Sequence, residues 1–173
     1  MQRALFWIPL LLWLLVAGGC GYRLAGGEGD RLPEGVRVLY IPLFENRTKE
    51  PFLENLVSEA VIRRFSRALG VRVVEDPKGA EAILSGTISS YSNHVTAYAG
   101  DDKITEYRSA IGCQALLRST VDNRVLWKGS ASWRQEYRAS LDRGQEESGE
   151  ALAQEEISQR LADELFARVT ENF

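Results

Sequence analysis

Residues 124–138 carry the clearest pattern in the chain. Val125, Trp127, Ala131, Trp133 and Tyr137 fall on one parity, and Arg124, Lys128, Arg134 and Arg138 fall on the other. Strict alternation predicts a strand in a sheet with one covered face and one open face. Segment 104–120 repeats it, with Tyr107, Ile111, Cys113, Ala115 and Leu117 turned inward. In 82–98 the pattern breaks midway. Ala82, Leu84 and Ile88 share one parity, whereas Tyr91 and Val95 take the other, which predicts a β-bulge between them. "AGDDK" (99–103) and "VDNR" (121–124) supply turns between the three segments.

Ahead of these strands, "VRVLYIPLF" (36–44) reads as a first strand, and Pro42 predicts that its end leaves the ladder. A helix follows, with Thr48 as its cap, Pro51 in its first turn and Gly70 closing it. Leu53, Leu56, Val57, Ala60, Val61, Ala68 and Leu69 recur at helical spacing and should face the core. "VRVV" (71–74) is a short apolar strand, marginal in length. From about Glu146 to Glu171, Ala153, Ile157, Leu161, Leu165 and Val169 repeat every four residues, the signature of an amphipathic helix. The expected architecture is therefore an α+β two-layer sandwich, with two helices packed on one face of a mixed sheet of about four strands.

The start of the chain obeys a different logic. Its apolar run lies between Arg3 and Ala17 and contains Pro9. At roughly 14 residues it falls short of the ~20 that cross a ~30 Å hydrocarbon core. A positive start, an apolar middle and a small-residue exit match a secretory signal peptide. Ala17-Gly18-Gly19 leads directly into Cys20 and resembles a bacterial lipobox, although leucine is commoner where Ala17 stands. In that motif the Cys sulfur takes a diacylglyceryl group, the chain is cut just before it, and the new amine is usually acylated too. Three segments result: a signal peptide (1–19), a lipidated glycine-rich tether (20–35) and a single domain (36–173).

Composition narrows the function. The chain carries a formal charge of −3, which becomes −4 once Arg3 is removed, and it has no Lys/Arg-rich run. Nucleic acid is therefore not the expected partner. Lipidation consumes Cys20, which leaves Cys113 alone in an inward position, the place of a buried core thiol. His94 is the single histidine and has no cysteine near it, so a Cys/His metal centre is not expected. Asp101 and Asp102 fit a turn, and Glu146, Glu147, Glu155 and Glu156 fit a solvated helix face. No G-x-S-x-G, P-loop or dinucleotide motif is present. The expectation is a non-enzymatic protein with no cofactor beyond its lipid anchor. What remains is a surface. Arg108, Arg118, Arg124, Lys128, Arg134 and Arg138 could form a basic stripe on the open sheet face, suited to a phosphorylated amphiphile or simply to solubility and edge protection.

Several stretches coincide in order: "GCGYRLAG", "LPEGVRVLYIPLFENRTKEPFLENLVSEAVIRRF", "AEAILSGTISSY", "TEYRSAIGCQALL" and "VLWKGSASWRQEY". Together they resemble the lipopolysaccharide-assembly lipoprotein family LptE across nearly the whole mature chain. The resemblance implies two helices on a four-stranded mixed sheet. It also implies a lipoprotein of the Gram-negative outer membrane, tethered by Cys20 on the periplasmic side. Such a protein plugs the β-barrel translocon LptD, helps it assemble and binds lipopolysaccharide. Lipopolysaccharide contact then falls to Lys103 near the hairpin and to Arg134 and Arg138 on the last strand. Gly21, in place of an aspartate after the lipidated cysteine, permits outer-membrane sorting, and two or three acyl chains make attachment stable. The alternative is another periplasmic-facing lipoprotein, of the curli-secretion or penicillin-binding-protein-activator kind. In either case a Cys20→Ala chain should lose both its acyl mass and its membrane fraction, as read by mass spectrometry of the N-terminal peptide and by fractionation.

Overall fold

The computed structural model describes residues 31–100, 103–140 and 142–171. The signal peptide, Cys20 and most of the tether lie outside them. Residues 32–35, expected in the tether, already belong to the domain. Leu32 and Pro33 are buried, and Pro33–Gly35 forms a 3-10 turn.

Eight elements follow: β1 (Val38–Tyr40), β2 (Glu45–Asn46), α1 (Leu53–Ser66), β3 (Arg72–Val74), β4 (Ala82–Tyr98), β5 (Ile104–Ser119), β6 (Val125–Arg138) and α2 (Arg143–Thr170). They form the expected α+β sandwich, but the sheet has six strands, ordered β3-β1-β4-β5-β6, with β2 also paired to β4. Two effects raise the count above four. The first strand breaks at Pro42, which has no N–H to give a ladder, and resumes as β2. The short 72–74 segment does pair, in parallel with β1. β1 and β2 run parallel to β4, whereas β4, β5 and β6 form an antiparallel meander.

The expected bulge is present. Ile88 pairs with Cys113 and Ser90 with Gly112, which leaves Ser89 as the extra residue. Tyr91 is thereby turned toward the helix side, where the parity of its own strand would not have placed it.

Both helices lie on one face. Leu39, Phe44, Leu84, Ile88, Ile111, Cys113 and Leu117 meet Val57, Val61, Phe65, Ile157, Leu161 and Leu165 in one cluster. Each fully buried aliphatic or aromatic side chain contributes about 1.5–3 kcal/mol. Phe65 and Phe166, which the helical spacing left unremarked, join the two helices edge-to-face at 5.1 Å. Arg64 lies 3.6 Å over the Phe166 ring and pairs with Asp163 at 2.9 Å.

Several local expectations are corrected. Thr48 does not cap α1, and Pro51 precedes the helix. Asn46 holds the loop instead, accepting from the Thr48 N–H and hydroxyl and donating to the Glu50 carbonyl and to Glu54. The cap position falls to Phe52 in a left-handed conformation (φ 65°). At the other end α1 stops at Ser66, so Leu69 lies beyond it, 79% exposed and outside the core. α2 begins earlier than expected because the Asp142 carboxylate accepts from the Gln145 N–H at 3.1 Å, an ordinary N-cap.

Phe44 lies directly against Gly86, so a Cβ at that position would overlap its ring. Gly86→Ala should destabilise the domain by about 1–3 kcal/mol through overpacking, read as a lower thermal midpoint. Phe44→Leu in the same chain should recover part of the loss. An unchanged midpoint in the single variant would contradict this packing.

Candidate functional site

The meander places the sequence-derived cations on two ends of one open face. At the end where β4 begins, Arg124 lies in the turn before β6 and is held by Glu34 at 2.7 Å and Asp122 at 3.3 Å. Bonds to those carboxylates hold its guanidinium above the usual range. Arg118 donates to the Asn123 carbonyl at 2.8 Å. At the hairpin end Arg108 lies across from Glu136 and bonds it at 2.6 Å. Half of the expected stripe is therefore committed to internal partners: Arg108 and Arg124 through ion pairs and Arg118 through a carbonyl.

Arg134 and Arg138 both project from the open face of β6, opposite Ala110 and Glu106. Four residues of strand separate them, roughly 13 Å. Lys103 is exposed at the hairpin, where its carbonyl accepts the Ala99 N–H at 2.7 Å, one position before the Ile104–Tyr98 pair. The structure thus brings Lys103, Arg134 and Arg138 to the hairpin half of the molecule, with Arg134 opposite Ala110, six positions in from Ile104. His94 is there too, exposed and paired in register with Arg108. What the stripe reading missed is Glu106 and Glu136, which share the parity of the arginines and interleave negative charge among them. That signal was present in the alternation itself. The surface is of mixed sign, with guanidiniums spaced to take separate anionic groups in bidentate fashion.

Beneath this end the layer between sheet and helix is polar. The Tyr91 hydroxyl donates to Glu150 and accepts from Gln154 at 3.0 Å. Gln154 also donates to Glu50 at 3.2 Å. Asn93 donates to the Tyr137 hydroxyl at 2.7 Å, and the Tyr137 ring stacks on Tyr107 at 5.5 Å. Burial first, and the Glu150 bond second, push the Tyr91 phenol well above its ordinary value. Burial also raises Tyr137, with Glu150 and Glu146 adding to the shift. Further down the sheet, burial pushes the Cys113 thiol up to about 11, which fits an inert core residue.

Among solved structures the fold is shared with lipoproteins. Lipoprotein B from Nitrosomonas europaea matches 87% of this chain and 90% of its own at 14% identity, with a TM-score of 0.59. The rare lipoprotein B from Shewanella oneidensis matches 75% and 90% at 13% identity and a TM-score of 0.50. The PelC dodecamer from Paraburkholderia phytofirmans matches 83% and 93% at 16% identity and a TM-score of 0.50. At such identities the likeness is one of fold alone. Sequence goes further. The model of the family LptE, Lipopolysaccharide-assembly, matches residues 36–169, and the chain belongs to that family. At family level it is a lipopolysaccharide-assembly lipoprotein of the bacterial envelope. No curated protein matches the chain.

The polar layer has a pH signature. Tyr91 and Cys113 are both raised in the folded state, so their stabilisation is complete below their unfolded values, near pH 10 and 9. It is lost as pH rises through the folded values. Urea midpoints should fall between pH 9 and 11.5, less steeply in Tyr91→Phe and least in Tyr91→Phe with Cys113→Ala. At pH 7 Tyr91→Phe should itself cost about 1–2 kcal/mol for the bonds it breaks. Parallel pH profiles in all three chains would contradict this assignment.

Proposed function

We propose that the chain is cut before Cys20, lipidated there and held on the periplasmic side of the outer membrane. There it plugs and helps assemble an LptD-like β-barrel and binds lipopolysaccharide as that amphiphile is inserted. The observation that carries this reading is the LptE family match over residues 36–169, behind a signal peptide that ends in a lipobox. The hairpin end of the open face suits the ligand. Arg134, Arg138 and Lys103 are exposed cations in the hairpin half, and a guanidinium grips phosphate through two parallel N–H bonds. Glu106 and Glu136 temper the field, which favours groups seated on particular arginines over diffuse attraction of any anion. The chain's own role is positional: the rigid meander fixes the spacing of the cations, and no bond in the ligand is made or broken.

Reversal of both arginines tests the contact. Each charge-assisted hydrogen bond contributes about 1.5–3 kcal/mol, so Arg134→Glu with Arg138→Glu should weaken lipopolysaccharide binding at least tenfold. Both side chains are exposed, so the thermal midpoint should stay in place. Unchanged binding by a folded double variant would remove these residues from the site.

A further inference from the structure

We propose that the free edge of β4, from Ser90 to Val95, takes an added strand from the barrel partner, an extended segment with an acidic residue where it meets Lys49. This rests on the barrel-plug reading proposed above. Most borders of the sheet are guarded. β2 has two residues and β3 has three. β6 carries Lys128, Arg134, Glu136 and Arg138 along its length, and Arg168 of α2 donates to its Ser130 carbonyl at 2.7 Å. Short edges and charged edges are the usual protection against pairing with another chain. The unguarded border belongs to β4. β1 pairs with it at Ala82 and Ile83, and β2 at Thr87 and Ile88. From Ser89 to Tyr98 no described strand lies on that side, although β5 pairs along the other. This stretch, "SSYSNHVTAY", contains no Asp, Glu, Lys, Arg or Pro, and each of its residues is exposed or half-buried.

The chain itself turns off this edge. The Arg47 N–H donates to the Ile88 carbonyl at 3.0 Å, after which Asn46 bonds Thr48 and the backbone leads away to α1. The Ser89 bulge protects only the start of the open edge, and the shifts at Val95 and Ala97 only its finish. Between them Ser90–Val95 keeps unbroken register with β5, and six residues is an ordinary strand length. An edge strand turns the N–H and C=O groups of alternate residues outward, where an extended peptide can pair with them. A cavity of about 410 Å³ opens at the foot of this edge, with Arg47, Lys49, Ser89 and Ser90 in its walls. Arg47 is held by Glu45, so the exposed Lys49 is the cation that meets an incoming carboxylate. A second copy of this chain does not meet these conditions. In the antiparallel register centred on the six residues, its β4 would run on through Thr96–Tyr98 into the loop at Arg47. It also has no carboxylate between 89 and 98 to bring to Lys49. A partner segment that turns away at Ser89 and carries an acid there meets both.

Amide hydrogen exchange reads the added strand. The full lipidated chain is compared alone in detergent and in the barrel complex purified from outer membranes. Exchange in the segment 89–98 should slow about tenfold or more in the complex, and by more than any slowing in 127–138 of β6. A photo-reactive residue at position 92 should cross-link to the barrel, identified by mass spectrometry. Lys49→Glu should lower the barrel recovered several-fold with the thermal midpoint in place. Three results would overturn the strand addition and leave the plug reading standing: unchanged exchange in an intact complex, equal slowing of both segments, or a cross-link to another copy or to residues 20–30 of the same chain. Unchanged recovery with Lys49→Glu would overturn the charge match that selects this occupant. Absence of any barrel from the purified material would overturn the plug reading and the strand addition with it.

Discussion

One extra residue, Ser89, sets the character of the whole meander. Below it, Ile88, Cys113 and Ala131 form a row across three strands and face the helices in a dry core. Above it, the bulge restores the inward direction to Tyr91 and Asn93, and the layer becomes one of hydroxyls, amides and carboxylates. Without that residue, period-two geometry would turn Tyr91 and Asn93 to the open face and send their neighbours into the helix layer. The lower half supplies the apolar burial. The upper half holds its two layers together by specific bonds, although the buried Asn93 Oδ1 accepts none among the described residues.

The division also shapes the surface. A dry core needs helices over it, and both α1 and α2 pack on that side, leaving the opposite sheet face uncovered. On this open face the strands present side chains at fixed intervals, so exposed charges keep their spacing as long as the meander keeps its register. The near end uses its arginines internally, as Arg124 does with Glu34 and Asp122. The hairpin end leaves Arg134 and Arg138 exposed. A binding surface at one end and a closed, self-paired end where the chain enters fit a tethered subunit with a direction along its length.

Much of this was legible in the sequence. Alternation in 104–120 and 127–138 gave both faces of β5 and β6, and the parity break in 82–98 gave the bulge. Val125, expected on the covered face, instead pairs with Arg118 beyond a register shift and is exposed, while Leu126 packs on the core. What escaped depended on contacts between distant segments. Thr48 has the chemistry of a cap, yet Asn46 engages it first, and α1 starts only after Pro51. Leu69 fits the helical spacing, but α1 ends three residues before it. Five of the six stripe cations lie on strands with the expected parity, but Arg124 falls in the turn before β6, beyond a register shift. The stripe was also overestimated as a free surface. Pairing of Arg108 with Glu136 depends on register, and that of Arg124 with Glu34 on a contact between distant segments, neither of which spacing along one strand contains. Cys20 lies outside the described residues, and its role rests on the lipobox alone.

Membership of the LptE family makes the identity of the membrane partner the point on which the account turns. The most direct measurement is to purify the tagged, lipidated chain from outer membranes in mild detergent and to identify and quantify what comes with it. A single large β-barrel protein in one-to-one ratio is the predicted result. A ring built of copies of this chain, as the fold allows in the PelC dodecamer, or a penicillin-binding protein in place of the barrel, would contradict it.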